Sequence, residues 1–149
     1  MYNVVLILHS FVRWLVIIVG IVAAVKAVRG WYGKEGWLSF DDRLGMIFTM
    51  VIDIQLLLGL LLYIFFSPLT RVVFRDLGAA MANAEIRFFA VEHILLMIVA
   101  LVLAHVGRAV SRRAHAAALK HRQAAIFFSL ALFLILVSIP WSRPLLRLG

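Results

Sequence analysis

Ionisable side chains occur at six positions away from the ends of stretches that are otherwise almost entirely apolar. These positions are His9, Arg13, Asp53, Glu92, His93 and His105. Ionisable groups in hydrocarbon are costly, so each requires a partner or a function. Imidazoles bind metals or carry protons, whereas a carboxylate and a guanidinium form ion pairs. The residue types therefore indicate redox or proton chemistry, provided that the apolar stretches are membrane-spanning.

The composition identifies an integral membrane protein. The chain has 149 residues, of which 65% are hydrophobic, and its mean hydropathy is +1.07. Soluble domains are nearer half apolar, and a spanning helix needs about 20 apolar residues. We therefore expect a single membrane domain over residues 1–149, an all-α transmembrane four-helix bundle with up-down-up-down topology. The absence of cysteine excludes thiolate metal sites, iron–sulfur clusters and covalently attached haem.

Four apolar segments define the predicted helices. They cover about 3–28, 43–66, 87–110 and 124–139, and the third continues into the cytoplasm through SRRAHAAALKHR. Ser39, or Asp41 with Asp42, is a candidate cap for the second helix, and Asn83 is a candidate cap for the third. The segment before Asn83 predicts a short helix on the membrane surface that ends at Gly78. Its apolar residues are Leu69, Val72, Val73 and Leu77.

The distribution of lysine and arginine predicts the orientation. The first and third loops carry more basic residues than the opposite side, which has Arg71, Arg75, Arg87, Arg143 and Arg147. Both loops are therefore predicted to be cytoplasmic, with both termini on the outer, periplasmic side. The basic run predicts contacts with anionic lipids through Arg108, Arg112, Arg113, Lys120 and Arg122. In a membrane protein this run, like the net charge of +8, does not indicate nucleic-acid binding.

Helical rise gives each polar group an approximate depth. His9 and His93 both fall about 8–10 Å to the outer side of the midplane, each on a stripe of small residues. Two imidazoles at one level in a four-helix bundle match the requirement of a bis-histidine haem. The alternative is a pair of buried histidines that are hydrogen-bonded to the backbone or to Glu92. His105 lies roughly 120° around the helix from His93 and fits a haem ligand less well.

The remaining ionisable residues suggest other roles. Arg13 and Asp53 lie within about 4 Å of the midplane on opposite sides, which predicts a buried ion pair. Gln55 points away from Asp53 and is interpreted as an interhelical hydrogen-bonding residue. Glu92 is a candidate contact for a quinone or a proton. A proton- or ion-coupled carrier that uses Arg13, Asp53 and Glu92 is a weaker alternative.

Several strings resemble a family of small bacterial four-helix membrane proteins that are often labelled cytochrome b-like. They are HSFVRW, LGMIFTMVIDIQLLLGLLLYIFFSP, RFFAVEHILLMIVALVLAHVGR and IPW. The resemblance implies a multi-pass protein of the bacterial inner membrane that binds haem b. The recurrent polar positions of the family correspond to His9, Arg13, Gln55, Glu92, His93 and His105. Some relatives have histidine at Asp53, where this chain departs from them.

The resulting functional prediction is a b-type cytochrome-like electron carrier or redox subunit. Its haem would lie between His9 and His93, with Arg13 beside it, and a quinone is a possible second cofactor. The alternative is a non-catalytic accessory subunit of a larger respiratory or photosynthetic membrane complex. Both predictions describe a carrier or a subunit more readily than a stand-alone enzyme.

Overall fold

The computed structural model describes residues 1–141, apart from the side chain of Leu69. Arg143 and Arg147, used above to predict orientation, lie outside the described residues. Within this range, four helices are long and apolar enough to cross a membrane: Tyr2–Tyr32, Ser39–Phe66, Ala84–Arg113 and Ala117–Val137. The predicted all-α fold with four helices of transmembrane length is thereby confirmed.

The helices are numbered in chain order. They are α1 (Tyr2–Tyr32), α2 (Ser39–Leu61), α3 (Pro68–Arg75), α4 (Leu77–Ala82), α5 (Ala84–Arg87), α6 (His93–Arg113) and α7 (Ala117–Val137). A first π-helical turn, Leu62–Phe66, extends α2, and a second, Phe88–Glu92, joins α5 to α6. Two of the four spans thus contain a turn that departs from α-helical geometry.

Local side-chain hydrogen bonds set several helix starts. The Asp41 carboxylate accepts from the Leu38 amide at 2.8 Å at the start of α2. Asn83 Oδ1 accepts from the backbone amides of Glu85 and Ile86 at the start of α5. The predicted capping by Asn83 is therefore present, and so is that by Asp41, although Leu38 rather than Ser39 or Asp41 occupies the N-cap position of α2. The predicted helix end at Gly78 is wrong, because the extended backbone of Asp76 separates α3 from α4, and Gly78 lies inside α4.

The turn between α6 and α7 also differs from the prediction. The third span ends at Arg113, and Ala114 has an extended backbone. Residues 117–123, predicted to continue that helix, instead form the first turns of α7. The fold-back places His121 completely inside the protein, where its ring lies 4.9 Å from that of Trp37.

The four long helices pack in a ring. Helix α1 lies against α2 and α7, and α6 lies against α7 and, more sparsely, α2. Small side chains allow close approach, including Ala23, Ala27, Ala104, Ala124 and Ala131. Lipid tails are as apolar as these side chains, so association depends on van der Waals packing rather than on the hydrophobic effect.

The two ends of the bundle contain different groups of polar and aromatic residues. The loop end contains Gly30, Trp37 and His121, which lie close together. The cavity end contains His9, Gln55 and His93. His9 and Gly30 are separated by roughly 30 Å along α1, so the two ends lie in opposite halves of the bundle.

Candidate functional site

A cavity of about 140 Å³ lies at the cavity end between α1, α2 and α6. Most of its lining is apolar, and its polar lining residues include His9, Gln55, Tyr63 and His93. An adjoining cavity of about 90 Å³ shares both histidines and adds Arg13. An apolar pocket with a few convergent polar groups is the usual form of a cofactor or ligand site.

The two histidines meet across the bundle. The ring centres of His9 and His93 are 6.4 Å apart, and their planes are inclined at 69°. Two imidazoles bonded to one metal ion, each at about 2.0 Å, place their ring centres roughly 6 Å apart. The predicted proximity of His9 and His93 is therefore present, at a separation that fits a shared metal. Their role as haem ligands stays a prediction.

A backbone hydrogen bond fixes the ring of His93. Its Nδ1 lies 2.9 Å from the carbonyl oxygen of Ser138 at the end of α7. A carbonyl can only accept, so Nδ1 carries the proton and donates it. In the neutral ring Nε2 then keeps its lone pair, and a carbonyl partner at Nδ1 is the contact typical of a metal-binding histidine.

Gln55 holds His9 from α2. The Gln55 amide nitrogen donates to the His9 carbonyl at 3.0 Å and lies 3.3 Å from Nε2 of the same residue. An amide nitrogen can only donate, so His9 Nε2 accepts and Nδ1 carries the proton. Gln55 is thus the interhelical hydrogen-bonding residue that the sequence predicted.

Two polar atoms of this pair remain unsatisfied. Among the described residues, His9 Nδ1 and Gln55 Oε1 are buried and have no hydrogen-bond partner. Each such atom costs about 1–3 kcal/mol, and buried polar atoms are normally paired. A bound group that engages this part of the site would remove that cost. The donor set of two neutral imidazoles in an apolar cavity suits haem b, although Nε2 of His9 must leave Gln55 to bind iron.

Both π-helical turns border the cavity. The first contributes Leu62 and Tyr63, and the second contributes Phe89. The Tyr63 hydroxyl donates to the Ala90 carbonyl at 2.9 Å, which ties the two turns together. Single π turns within α-helices are frequent at functional sites. Tyr63 was not predicted as a site residue, because its only signal in the sequence is its position shortly before the helix-ending Ser67–Pro68 pair.

Asp53 has a different partner from the one predicted. Its Oδ1 lies 2.8 Å from Nε2 of His105, so a hydrogen-bonded pair joins α2 to α6 in place of the predicted Asp53–Arg13 contact. The physical reason is the rotation of α2. Gln55 faces α1, and a residue two positions earlier points roughly 160° away from it, towards α6. Arg13 lines the cavity beside His9 and His93.

Glu92 belongs to a surface ion pair. Its Oε1 accepts from Nε of Arg87 at 3.0 Å, and both side chains are 46% exposed. In the part of the chain that the structure describes, Tyr63 rather than Glu92 lines the cavity. The prediction that Glu92 contacts a quinone therefore gains no geometric support.

The predicted lipid-contacting cations gather near the loop end. Lys120 lies over the ring of Trp37, with Nζ 5.8 Å from its centre, and Arg122 lies over Trp31 at 6.0 Å. The set also includes Arg108, Arg112 and Arg113 at the end of α6. In the same region, the Lys26 ammonium donates a hydrogen bond to Glu35 and holds the pKa of that carboxyl below its usual value.

Comparison with known proteins identified no relative of this chain. No protein-family model, curated protein or solved structure matches the chain. The described residues also contain no group of three or more histidine or acidic side chains that could hold a metal ion. A bis-histidine haem needs only two protein ligands, so the functional conclusion depends on the geometry of His9 and His93.

Proposed function

We propose that this chain is a b-type cytochrome-like electron-transfer protein of the bacterial inner membrane, with haem b held between His9 and His93. The observation that carries the proposal is the 6.4 Å separation of the two imidazoles inside an apolar membrane cavity. When bound, haem b supplies a reversible one-electron couple. The protein contributes ligands, orientation and a water-poor setting.

Each surrounding residue has a defined part in this proposal. The Ser138 carbonyl orients His93 and keeps its Nε2 unprotonated. Gln55 positions His9, and ligation of haem by His9 Nε2 would require that atom to give up its contact with the Gln55 amide nitrogen. Arg13 lines the adjoining cavity and supplies a positive charge for a carboxylate of the macrocycle.

The proposed topology is up-down-up-down, with both termini on the periplasmic side. The cations Arg108, Arg112, Arg113, Lys120 and Arg122 then lie in the cytoplasm against anionic lipids. This orientation puts the histidine site nearer the periplasmic face. Electrons would be exchanged there with a quinol or a partner redox protein.

A pyridine haemochrome assay on the purified chain tests the proposal. We expect a b-type spectrum with a Soret band that is lost in His9→Ala and in His93→Ala. His115→Ala is the matched control, because His115 is exposed in the turn between α6 and α7. A protein that has no Soret band after expression with ample haem, or whose band survives both substitutions, would contradict haem binding here.

A second candidate function is that of a non-catalytic accessory subunit in a larger respiratory or photosynthetic complex. It is supported by the short connections between the described helices, such as residues 33–38 between α1 and α2, which leave no room for a catalytic domain. Native purification separates the two candidates. A colourless chain found only within a larger complex supports the subunit, and an isolated haem-bearing species supports the carrier.

A further inference from the structure

The Asp53–His105 pair lies on the outside of the bundle at membrane depth. Asp53 is near the middle of the span Ser39–Phe66, about 21 Å along the helix from its start. The side chains of Asp53 and His105 are 46% and 41% exposed, whereas Gln55, two residues further on, is buried. The pair therefore faces away from the interior, where a bilayer would present hydrocarbon.

Hydrocarbon cannot satisfy this pair. Insertion of an ionisable side chain into the centre of a membrane is energetically unfavourable. The hydrogen bond uses Asp53 Oδ1 and His105 Nε2, so within the described residues the second carboxylate oxygen and Nδ1 have no partner. A polar group that approaches this face from outside the bundle would meet the remaining hydrogen-bonding capacity.

The surrounding surface is apolar and continuous. Asp53 shares a helical stripe with Met46, Met50 and Leu57, and His105 shares one with Ile98 and Val102. All five apolar residues are exposed. Helices α2 and α6 also pack against each other more sparsely than the other neighbouring long helices. These two stripes are called the α2–α6 face.

We propose that a second copy of this chain covers the α2–α6 face in a symmetric dimer. An acid and a base side by side are self-complementary under a twofold rotation, because Asp53 of one protomer meets His105 of the partner subunit and the reverse. A purely apolar helix would leave the pair as unsatisfied as lipid does. Met46 and Met50 provide unbranched side chains that adapt to a partner surface.

The opposite side of the bundle offers a contrast. The lipid-facing residues Ile18 and Val22 on α1 and Phe133 on α7 are exposed. The stretch from Leu15 to Val25 contains no ionisable side chain. That surface can face lipid at no electrostatic cost, so it provides control positions for testing the dimer.

Single-cysteine cross-linking in lipid nanodiscs or native membranes tests the dimer. The chain has no native cysteine, so each variant carries one thiol. Oxidation should give covalent dimers from at least one of Met50→Cys, Leu57→Cys and Val102→Cys, and none from Ile18→Cys or Phe133→Cys. The uncross-linked protein should show twice the chain mass. A monomeric mass, equal cross-linking at control positions, or a cross-link to a different protein would overturn the proposal.

Exchange of the two polar residues distinguishes specific pairing of Asp53 with His105 from non-specific apolar association. Asp53→His alone removes the acid and should weaken dimerisation about 10-fold, since polar contacts between membrane helices stabilise their association modestly. The double variant Asp53→His with His105→Asp restores one acid and one base and should recover the dimer. Circular dichroism and thermal unfolding establish that both variants fold. If the folded single variant dimerises normally, or the folded double variant does not recover, the proposed pairing is wrong.

Discussion

Tyr63 and Ala90, 27 positions apart in the sequence, are joined by a 2.9 Å hydrogen bond from hydroxyl to carbonyl. Each lies in one of the two π-helical turns. The bond therefore connects the irregular parts of the second and third spans directly beside the histidine cavity. The Tyr63 carbonyl in turn accepts from Thr70 Oγ1 at 2.6 Å, which fixes the start of α3 to the same place.

Removing this hydroxyl should loosen the cavity end. Tyr63→Phe deletes one hydrogen bond with little change in volume, and we expect a loss of about 1 kcal/mol in the free energy of unfolding. If haem is bound as proposed, its dissociation should also accelerate. Unfolding in mixed micelles measures the first effect, and transfer of haem to an acceptor protein measures the second. Unchanged stability would show that the bond does not contribute. Tyr32→Phe, at an exposed position, is the control.

Gly30 provides a test of packing at the loop end. A Cβ added at Gly30 would overlap the ring of His121, which is fully buried with Trp37 beside it. Gly30→Ala should therefore destabilise the protein by about 1–3 kcal/mol, as overpacked cores do. Gly36→Ala is the matched control, because nothing lies within 4 Å of its added Cβ. Equal thermal midpoints for the two variants would contradict the tight packing of His121.

Substitution of Phe48 tests how much van der Waals packing contributes to stability when lipid provides no hydrophobic driving force for helix association. Its side chain is 0% exposed, and its ring lies 5.4 Å from that of Phe128 in an edge-to-face arrangement. Phe48→Ala should cost roughly 2–4 kcal/mol, mostly from lost van der Waals contacts, because lipid is as apolar as the core. Phe133→Ala removes the same side chain from a site 61% exposed to the surroundings and should cost far less. Comparable losses, measured by denaturant titration, would refute this account.

The Lys26–Glu35 contact should make part of the protein's folding stability depend on pH. Its hydrogen bond from Lys26 lowers the pKa of the Glu35 carboxyl from 4.5. A carboxyl whose pKa is lower in the folded state stabilises the protein above its unfolded pKa, and that contribution disappears as the pH falls through the folded pKa. Glu35→Gln should thus lower the melting temperature at neutral pH and converge with the wild type in acid.

Thermal melts from about pH 6 down to about pH 3 measure this convergence. Lys26→Met removes the partner that lowers the pKa and should abolish the same pH-dependent component, although it also alters neighbouring contacts with Asp41. Melting curves of the wild type and Glu35→Gln that stay parallel over the whole range would show that the Lys26–Glu35 contact does not stabilise the fold.

The sequence predicted those features that depend on helix length and rise. Apolar segments fixed the number of spans, and counting along α1 and α6 placed His9 and His93 at one depth, where their rings do meet. The partner of Asp53 was not predicted, because depth alone does not say how far each helix is rotated or which helices are neighbours. That pair required the ring order of α1, α2, α6 and α7.

The irregular backbone of the helices was not predictable from the sequence either. A π-helical turn inserts one residue into a helix without a distinctive composition, so neither Leu62–Phe66 nor Phe88–Glu92 could be located. The break at Ala114 is similar, since alanine favours helix and the local sequence predicted continuation. The burial of His121 against Trp37 accompanies that break, and this contact spans more than 80 residues of sequence.

The packing of α1 is uneven along its length. Closely packed small residues such as Ala23, Ala27 and Gly30 occupy the half towards the loop end, whereas the half around His9 borders both cavities. We therefore expect backbone amides near His9 to exchange with solvent deuterium through local opening, and those near Ala27 to exchange only when the helices separate. If haem binds as proposed, the loosely packed half of α1 would let it enter or leave beside His9 while the loop end stays assembled.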